Sequence, residues 1–453
     1  MKQRLAFVAG SVMAALIGMS GPVLANAEIE ESAKNENLWP APGRDNQLTR
    51  HSTLKDINTE NVSKLNYVWS QSTGALRGHE GQPVVVEHDG KPMMYFSSGC
   101  PNMAQCNILQ ALDLSDPDNP VQVWNYVKKT DRDESAVPRA CCDTVHRGVN
   151  YAAGKVIYHT LDGFVIALDA STGAEKWVVK HAYPEHGETL TGPTLVADNV
   201  VIAGFGGDEF AARGRLTAYD IETGKEVWKC HATGSDKDVC LTPESNKANP
   251  HFGTAGSDIG ITSYPETNGG EWKIGGGAYW AWGSYDPELK LVYWSTGNPG
   301  HWSPSYRCGA KTHDECNTGK WDNKWSMTTF ARKVDTGEVV WAYQMTPFDQ
   351  WDYDGVNENI LVDNLEVDGK KYKALVHFDR NGHAYVHDRT NGTLLRAHPF
   401  VTVDWAEKID LKTGRPIKVY EHSPFEVGRN VSVCPSAMGG KDQQPCSVDP
   451  KEP

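Results

Sequence analysis

The chain has ten cysteines among its 453 residues but no C-x-x-C motif. This absence argues against zinc ribbons and thioredoxin-like redox sites, which need closely spaced cysteine pairs. Long amphipathic helical patterns and low-complexity linkers are also missing. Positive charge is scarce, since 58 Asp and Glu against 44 Lys and Arg give a formal net charge of -14. Such a chain is a poor ligand for nucleic acid or an anionic membrane and favours a basic protein partner.

A long apolar run occurs at the N-terminus, from Leu5 to Met19. Two basic residues precede it, and Ala25-Asn26-Ala27 follows it as an A-x-A cleavage signal. The run holds about fifteen residues, short of the roughly 20 that span a bilayer, which favours a signal peptide over a membrane anchor. We therefore predict a signal peptide over residues 1–27 and a mature chain over residues 28–453.

Export to an oxidising compartment would allow the cysteines to pair, and their order suggests pairs of sequence neighbours. These pairs are Cys100 with Cys106, Cys141 with Cys142, Cys230 with Cys240, Cys308 with Cys316, and Cys434 with Cys446. Sequence alone does not fix this connectivity. A bond between the adjacent Cys141 and Cys142 would close an eight-membered ring far from relaxed disulfide geometry, so stability is a poor reason for it.

An internal repeat runs through the β-rich part of the chain. ALDASTGAEKW (167–177), AYDIETGKEVW (218–228) and ARKVDTGEVVW (331–341) share the frame A-x-x-x-x-T-G-x-x-x-W, and weaker copies cover 111–124 and 386–395. The third positions of the copies lie about 50 to 57 residues apart except for one double gap, as one four-stranded blade per copy requires. Each copy predicts a strand, a tight turn at Thr-Gly and a second strand whose Trp docks on the next blade. The sequence therefore predicts an all-β fold, a β-propeller.

This repeat, together with the adjacent cysteines, resembles the tryptophan-docking motif of the quinoprotein alcohol dehydrogenases, the methanol and ethanol dehydrogenase family that uses pyrroloquinoline quinone (PQQ). The resemblance runs from about Leu38 to the last residue. It implies a propeller with eight blades in the family. Because further blades would follow Pro453, we expect the chain to be a C-terminally truncated, incomplete propeller. Cys434 also matches a family cysteine whose partner lies beyond Pro453, which leaves the pairing of Cys446 open.

The resemblance also implies a cofactor site. A disulfide between Cys141 and Cys142 would cover one face of the planar quinone, and Trp280 in GGGAYWAWG would form its floor. Arg147 matches an arginine that binds a cofactor carboxylate, which suits the forked guanidinium. Further implied cofactor contacts are Glu80, Gly207, Arg380 and Asp442. The alternative that each of the two cysteines has a distant partner stays open.

A metal site is implied by three separated stretches. Glu209 in GGDEFAARG, Asn298 in STGNPG and Asp352 in QWDYDG match family positions where two carboxylates and an amide surround a cation. Ligands that are all oxygen suit a hard ion. Calcium enzymes of the family read W-D-Y-A or W-D-F-S, whereas this chain reads W-D-Y-D, the pattern of the lanthanide-dependent methanol dehydrogenases. The extra carboxylate of Asp354 favours a trivalent ion, and the open alternative is a solvated aspartate.

Two departures from the family pattern bear on this site. Ala278 replaces a threonine that binds a cofactor carboxylate. The segment from His301 to Trp321 is longer than in methanol dehydrogenases, and we expect it to alter the substrate entrance.

The implied function is periplasmic oxidation of a primary alcohol, methanol or a similar short alcohol, to an aldehyde. Asp352 would take the hydroxyl proton while a hydride passes to PQQ, whose carbonyl the metal polarises, and a c-type cytochrome would accept the electrons. Two alternatives stay open. One is a calcium-dependent ethanol-type enzyme, and the other is an inactive fragment or non-catalytic propeller of the scaffold type. Homodimerisation is also left open by the sequence.

Overall fold

The computed structural model of the chain describes residues 24–75, 78–99, 108–128, 136–245, 257–267, 270–309, 311–426 and 428–452. Within these ranges, five four-stranded antiparallel sheets follow one another along the chain, and a two-stranded hairpin comes after them. Every four-stranded sheet is a meander in which neighbouring strands are consecutive in sequence. We number these sheets blades 1 to 5 in chain order.

Blade 1 contains β1 (Val84–His88), β2 (Lys91–Ser97), β3 (Leu109–Asp113) and β4 (Val121–Tyr126). Blade 2 contains β5 (Asn150–Ala152), β6 (Lys155–His159), β7 (Phe164–Asp169) and β8 (Glu175–Lys180). Blade 3 contains β9 (Leu195–Ala197), β10 (Val200–Ala203), β11 (Arg215–Asp220) and β12 (Glu226–His231). Blade 4 contains β13 (Gly283–Asp286), β14 (Leu291–Ser295), β15 (Thr328–Lys333) and β16 (Val339–Gln344). Blade 5 contains β17 (Asn359–Val367), β18 (Lys370–Phe378), β19 (His383–Asp388) and β20 (Thr393–Pro399), and the hairpin contains β21 (Ala406–Asp410) and β22 (Arg415–Lys418).

Among the described residues, the α-helices are few and short. They are α1 (Ala25–Ser32), α2 (Asp236–Val239), α3 (Ile259–Thr262) and α4 (His313–Cys316). Ile29 of α1 is buried in the core between blades 2 and 3. The predicted cleavage signal lies at the start of α1, and most of the predicted signal peptide lies outside the described residues, so that prediction stays a prediction. In the part of the chain that is described, no helix has the length and apolar character needed to cross a bilayer.

The hydrophobic core is divided into layers between consecutive blades. In β6, Val156 and Tyr158 pack in the layer shared with blade 1, whereas Ile157 packs in the layer shared with blade 3. Alternate side chains of a strand point to opposite faces, so a strand placed between two blades buries both sets. The β-branched and aromatic content of these strands suits this position. The predicted all-β propeller class is therefore confirmed.

The repeat predicted the blade hairpins correctly. The third positions of the five copies are the last residues of the third strand in each blade, and the Thr-Gly turns lead into the fourth strands. The conserved frame therefore marks the same hairpin in each blade. Positions 220 and 333 belong to consecutive blades, so the double gap holds no additional blade within the described residues. Long connections that contain α2, α3 and α4 account for its length.

In blades 1 to 4, the tryptophan of the hairpin docks on the turn of the next blade, as the repeat predicted. The indole N–H groups of Trp124, Trp177, Trp228 and Trp341 donate to the carbonyl oxygens of Ala170, Ile221, Val334 and Arg389 at 2.8 to 3.0 Å. A Cβ added to Gly224, which has φ of +68°, would come within 2.9 Å of the Trp177 ring. Glycine at the turn thus provides both the left-handed backbone and the space for the indole.

Three predicted disulfides are present: Cys141–Cys142, Cys230–Cys240 and Cys308–Cys316. The pair of Cys100 and Cys106 lies outside the described residues. The pairing of Cys434 with Cys446 is wrong, since both are free thiols. Their backbone N–H groups are bound at separate places, that of Cys434 by Asp404 and that of Cys446 by Glu358.

Candidate active site

The predicted site residues come from loops at one end of the blades. In an antiparallel meander, the connection between the second and third strands lies at the same end as the connection to the next blade. Glu209, Asn298 and Arg380 lie in connections of the first kind, and Arg147 and Trp280 lie in connections of the second kind. We call this end the cavity end. The opposite end, which carries the Thr-Gly turns, is the turn end. The fold therefore brings together residues that are far apart in sequence.

A cavity of about 640 Å³ lies at the cavity end, a volume typical of small-molecule sites. Eleven of the twelve predicted site residues line it: Glu80, Cys141, Cys142, Arg147, Gly207, Glu209, Trp280, Asp352, Asp354, Arg380 and Asp442. The twelfth, Asn298, lines an adjoining cavity of about 340 Å³ together with Asp352. Trp302, in the long segment that was predicted to affect the substrate entrance, lines both cavities.

One wall of the larger cavity contains a buried cation against an aromatic ring. The Arg147 guanidinium carbon lies 5.0 Å from the ring centre of Trp280, and its Nη1 donates to the Thr191 hydroxyl at 2.8 Å. Its Nε lies 2.8 Å from a carboxylate oxygen of Glu80. Burial lowers the pKa of Arg147, and the Glu80 charge opposes that shift. Arg147 and Glu80, two predicted cofactor contacts, thus form a fixed ion pair.

A neutral histidine lies directly before this arginine. His146 is 1 % exposed, and its ring stacks on that of His159 with centroids 3.7 Å apart. Its Nε2 lies 3.0 Å from the His159 carbonyl oxygen, while its Nδ1 lies 2.5 Å from the Ser97 hydroxyl. Burial lowers the pKa of His146 to about 3. A neutral ring therefore supports the backbone that carries Arg147.

Asp352 lies in a strained loop between β16 and β17. Its backbone has φ of +68°, a left-handed conformation that is uncommon outside glycine and occurs at functional sites. The buried carboxylate of Asp349 holds this loop by accepting the N–H groups of Trp351, Asp352 and Tyr353 at 2.9 to 3.3 Å. Burial and neighbouring carboxylates together raise the pKa of Asp352 to about 8, although Arg380 opposes the shift. Its Oδ1 is buried and has no hydrogen-bond partner among the described residues.

Asp354 is buried rather than solvated, so the alternative reading of this residue is wrong. It is 4 % exposed, its Oδ1 accepts the Asn298 N–H at 2.6 Å, and its Oδ2 accepts from Arg380 at 2.8 Å. Arg380 also lies 3.8 Å from Asp352 and 4.0 Å from Asp442. Burial raises the pKa of Asp354 well above its usual range. One guanidinium thus faces three carboxylates.

The oxygen atoms around Asp352 and Asp354 are ligands of the type that a hard cation prefers. Asn298 is 1 % exposed, and its side-chain Oδ1 has no hydrogen-bond partner within the described ranges. An orphaned buried amide oxygen beside carboxylates is a suitable ligand for a hard ion. Among the described residues, however, no three His, Cys, Asp or Glu side chains are arranged to hold a metal ion by themselves. The fit therefore depends on Asn298 and on the oxygens that a bound cofactor would add.

Sequence reasoning missed two aspartates of this site. Asp349 precedes the W-D-Y-D stretch and fixes the loop of Asp352 through three backbone hydrogen bonds. Asp208 precedes Glu209 and lines the larger cavity with a buried carboxylate. The only available signal for Asp208 was its position in GGDEF beside a predicted ligand.

The family model for the β-propeller domain of PQQ-dependent glucose, ethanol and alcohol dehydrogenases matches residues 39–399. The chain belongs to this PQQ dehydrogenase family. The predicted enzyme class, a PQQ-dependent alcohol dehydrogenase, is thereby confirmed. The loop residues around the cavity fit PQQ, because Arg147 offers a cation for a carboxylate beside the flat face of Trp280.

Several relatives carry more specific names. The lanthanide-dependent methanol dehydrogenase of Methylacidiphilum fumariolicum (strain SolV) is 46% identical over 436 residues, which cover 96% of this chain and 67% of that protein. Subunit 1 of the cytochrome c-linked methanol dehydrogenase of Methylorubrum extorquens is 42% identical over 441 residues, covering 96% of this chain and 66% of that protein. The chain thus spans about two thirds of the length of these PQQ dehydrogenases.

Solved structures show the same propeller. A europium-containing methanol dehydrogenase superposes with a TM-score of 0.85 at 46% identity, covering 94% of this chain and 69% of that one. The quinohemoprotein alcohol dehydrogenase of Comamonas testosteroni superposes with a TM-score of 0.77 at 31% identity, covering 94% of this chain and 59% of that one. These PQQ dehydrogenases confirm the fold, while the roles of individual site residues stay predictions.

Proposed function

We propose that the chain oxidises a short primary alcohol, methanol in the first instance, to the aldehyde with PQQ and a lanthanide ion. The observation that supports this most is at Asp352, a residue that lines both cavities of the cavity end and whose buried Oδ1 lacks a partner in the described structure. An unoccupied carboxylate oxygen in such a place is suited to accept a proton from a small hydroxyl compound.

Each residue around the cavity has a role in this proposal. Arg147 would hold a carboxylate of PQQ, and Trp280 and the Cys141–Cys142 disulfide, which line the same cavity, would exclude water from the cofactor. The bound cofactor and cation would supply the hydride acceptor and the Lewis acid. Asp352 takes the hydroxyl proton on Oδ1, which has no hydrogen-bond partner in the described structure.

Asp354 supports a trivalent ion in particular. Its carboxylate is buried next to Asn298 and Asp352, so its charge is weakly screened by water. A trivalent cation gains more from each such charge than a divalent one does. The names of the lanthanide-dependent relatives point in the same direction. Calcium with an ethanol-like substrate is the alternative that this residue argues against.

The cellular setting is proposed on separate grounds. Three disulfides among the described residues are typical of an oxidising compartment, which supports a periplasmic location after signal-peptide removal. The net charge of -14 suits a basic electron acceptor, and we propose a c-type cytochrome.

The decisive experiment is an alcohol-dependent dye-reduction assay on the PQQ-loaded chain with lanthanum or calcium. Lanthanum-supported oxidation of methanol is expected, and Asp354→Ala should abolish it while the fold is retained in circular dichroism. Undiminished lanthanum activity in Asp354→Ala would promote the calcium alternative. A wild-type chain that binds PQQ but turns over no alcohol with either ion would favour a non-catalytic propeller.

A further inference from the structure

We propose that Asp208 is an additional carboxylate of the cation site, which raises the preference of this chain for a trivalent over a divalent ion. This inference rests on the proposed function, since it concerns the same site. It assigns a role to a residue that lies outside the predicted ligand set.

Asp208 is held in place with one oxygen available. It is 1 % exposed and lies in a single 3-10 turn, Asp208–Phe210, that begins after Gly207. Gly207 has φ of +142°, so glycine is favoured where the chain enters this turn. The Oδ1 of Asp208 accepts the backbone N–H of Ala278 at 2.7 Å. The second oxygen, Oδ2, is therefore the one that faces the rest of the site.

The Oδ2 of Asp208 and the Oδ1 of Asp354 both lie beside Gly297. A Cβ added to Gly297 would be 2.7 Å from each of these two oxygens. Both carboxylates thus approach the same point, and they can do so because residue 297 has no side chain. Two buried carboxylates that converge in this way repel each other unless a cation or protons lie near them.

A separate observation indicates a ligand at this place. Asn298 follows Gly297, and its buried side-chain Oδ1 has no hydrogen-bond partner within the described part of the chain. Its backbone N–H is already bound to Asp354. An orphaned, buried amide oxygen on the residue that follows Gly297 is unfavourable unless something positive binds it.

Charge counting gives the functional consequence. Glu209, Asp352 and Asp354 contribute three negative charges, and Asp208 brings the protein's carboxylates to four. Because Coulomb energy scales with the product of charges, each added carboxylate stabilises a trivalent ion by half as much again as a divalent ion. Asp208 therefore acts on selectivity between the two kinds of ion as well as on affinity.

The test is calorimetric titration of the PQQ-loaded chain with La³⁺ and with Ca²⁺. Asp208→Asn keeps the oxygen that accepts the Ala278 N–H and removes only the charge. We expect it to lower the La³⁺ affinity at least about tenfold more than the Ca²⁺ affinity. Asp118→Asn is the matched control, because Asp118 is exposed in blade 1 and the same net charge is lost. Asp208→Glu, which restores a carboxylate, should recover part of the La³⁺ preference.

The outcomes separate the inference from the proposed function. If the wild type binds La³⁺ and Asp208→Asn has the same ratio of affinities, the role of Asp208 is disproved while the proposed function stands. If the wild type binds neither ion, the metal site of the proposed function is disproved as well. Thermal melting checks that each variant folds, and Asp208→Ser replaces Asp208→Asn in the titration if the latter does not.

Discussion

At the turn end, Asp169 and Asp220 are satisfied by their own turns, whereas at the cavity end the half-buried Asp352 and the buried Asp208 lie among other carboxylates. The Oδ1 of Asp220 accepts the N–H and the hydroxyl of Thr223 at 2.8 and 2.7 Å. At the other end of the blades, Asp352 has an oxygen without a partner in the described structure. Aspartate thus stabilises turns at one end, whereas at the other end it lies where its charged form is disfavoured.

This difference shows how the molecule separates stability from chemistry. The turn end is repeated from blade to blade and its polar groups are paired locally. At the cavity end, by contrast, the Oδ1 atoms of Asp352 and Asn298 have no partner in the described structure and are available to a cofactor, a cation or a substrate. Functional sites commonly retain such unfavourable features because the rest of the fold stabilises them.

The largest effect is expected at the cavity end, for Asp352→Asn. An amide can still coordinate a cation but cannot accept the proton of the alcohol, so kcat should fall by about 10²–10⁴-fold. Dye-reduction assays with saturating methanol would measure this loss, and cofactor absorbance would show that PQQ remains bound. Asp220→Asn is the control at the turn end and should leave kcat unchanged. Equal losses in both variants would remove the distinction between the two ends.

A large effect on stability is expected at the turn end, for Gly224→Ala. The new Cβ would lie 2.9 Å from the Trp177 ring at a residue with φ of +68°, and the combined clash and backbone strain should destabilise the chain by about 3 kcal/mol. Gly154→Ala is a matched control, because Gly154 has φ of +66° and a Cβ there would meet no atom within 4 Å. That control should cost about 1 kcal/mol. Urea unfolding of both variants would separate the cost of the steric clash from the cost of backbone strain. Similar losses in the free energy of unfolding would mean that the contact with the indole contributes little.

An intermediate effect is expected from the buried histidine beneath the cavity. Since burial lowers the pKa of His146 from 6.5 to about 3, the unfolded chain binds a proton below pH 6.5 that the folded chain rejects. Stability should therefore decrease as the pH falls from 6.5 towards 3, by about 1.4 kcal/mol per pH unit from this residue. His146→Asn should flatten that slope in pH-dependent melting. The exposed His398→Asn should not, and an unchanged slope in His146→Asn would assign the acid sensitivity to other groups.

The smallest effect is expected for Asp169→Asn at the turn end. A hydrogen bond from Lys176 lowers the pKa of Asp169 to about 2, so its contribution is present above pH 3.8 and is lost as the pH falls towards 2. Because the pair is partly exposed, water screens it, and the loss at pH 7 should be about 0.5 kcal/mol. Chemical unfolding at pH 7 and pH 2 would measure it. A loss above about 2 kcal/mol would show that the turn carboxylates contribute more to the free energy of unfolding than partly exposed pairs usually do.

The turn end could be predicted from the sequence because its signals are local and repeated. Thr-Gly turns and the tryptophans that follow them are close in sequence, so the hairpins and the docking of Trp177 on the next blade could be inferred. The number of blades between 220 and 333 could not be predicted. A long loop and a blade that lacks the repeat both appear in the sequence as a wide gap between two copies.

The cavity end could be predicted only where a family pattern identified it. All twelve proposed residues lie around the two adjoining cavities, but Asp208 and Asp349 escaped notice since no family pattern was matched to either of them. The convergence of Asp208 and Asp354 depends on a glycine between them in space, which no spacing in the chain reveals. The pairing of Cys434 and Cys446 failed for the same reason, because nearness in sequence does not place two thiols together.

The docking of each tryptophan on the following turn has a consequence for how such a chain can lengthen. The hairpins of blades 2, 3 and 4 carry both halves of the contact, an indole for the next blade and a glycine-containing turn for the previous one. A duplicated stretch of gene that encodes one blade would therefore bring matching halves to both of its neighbours without any new contact having to evolve. Duplication of a blade is therefore enough to lengthen the propeller.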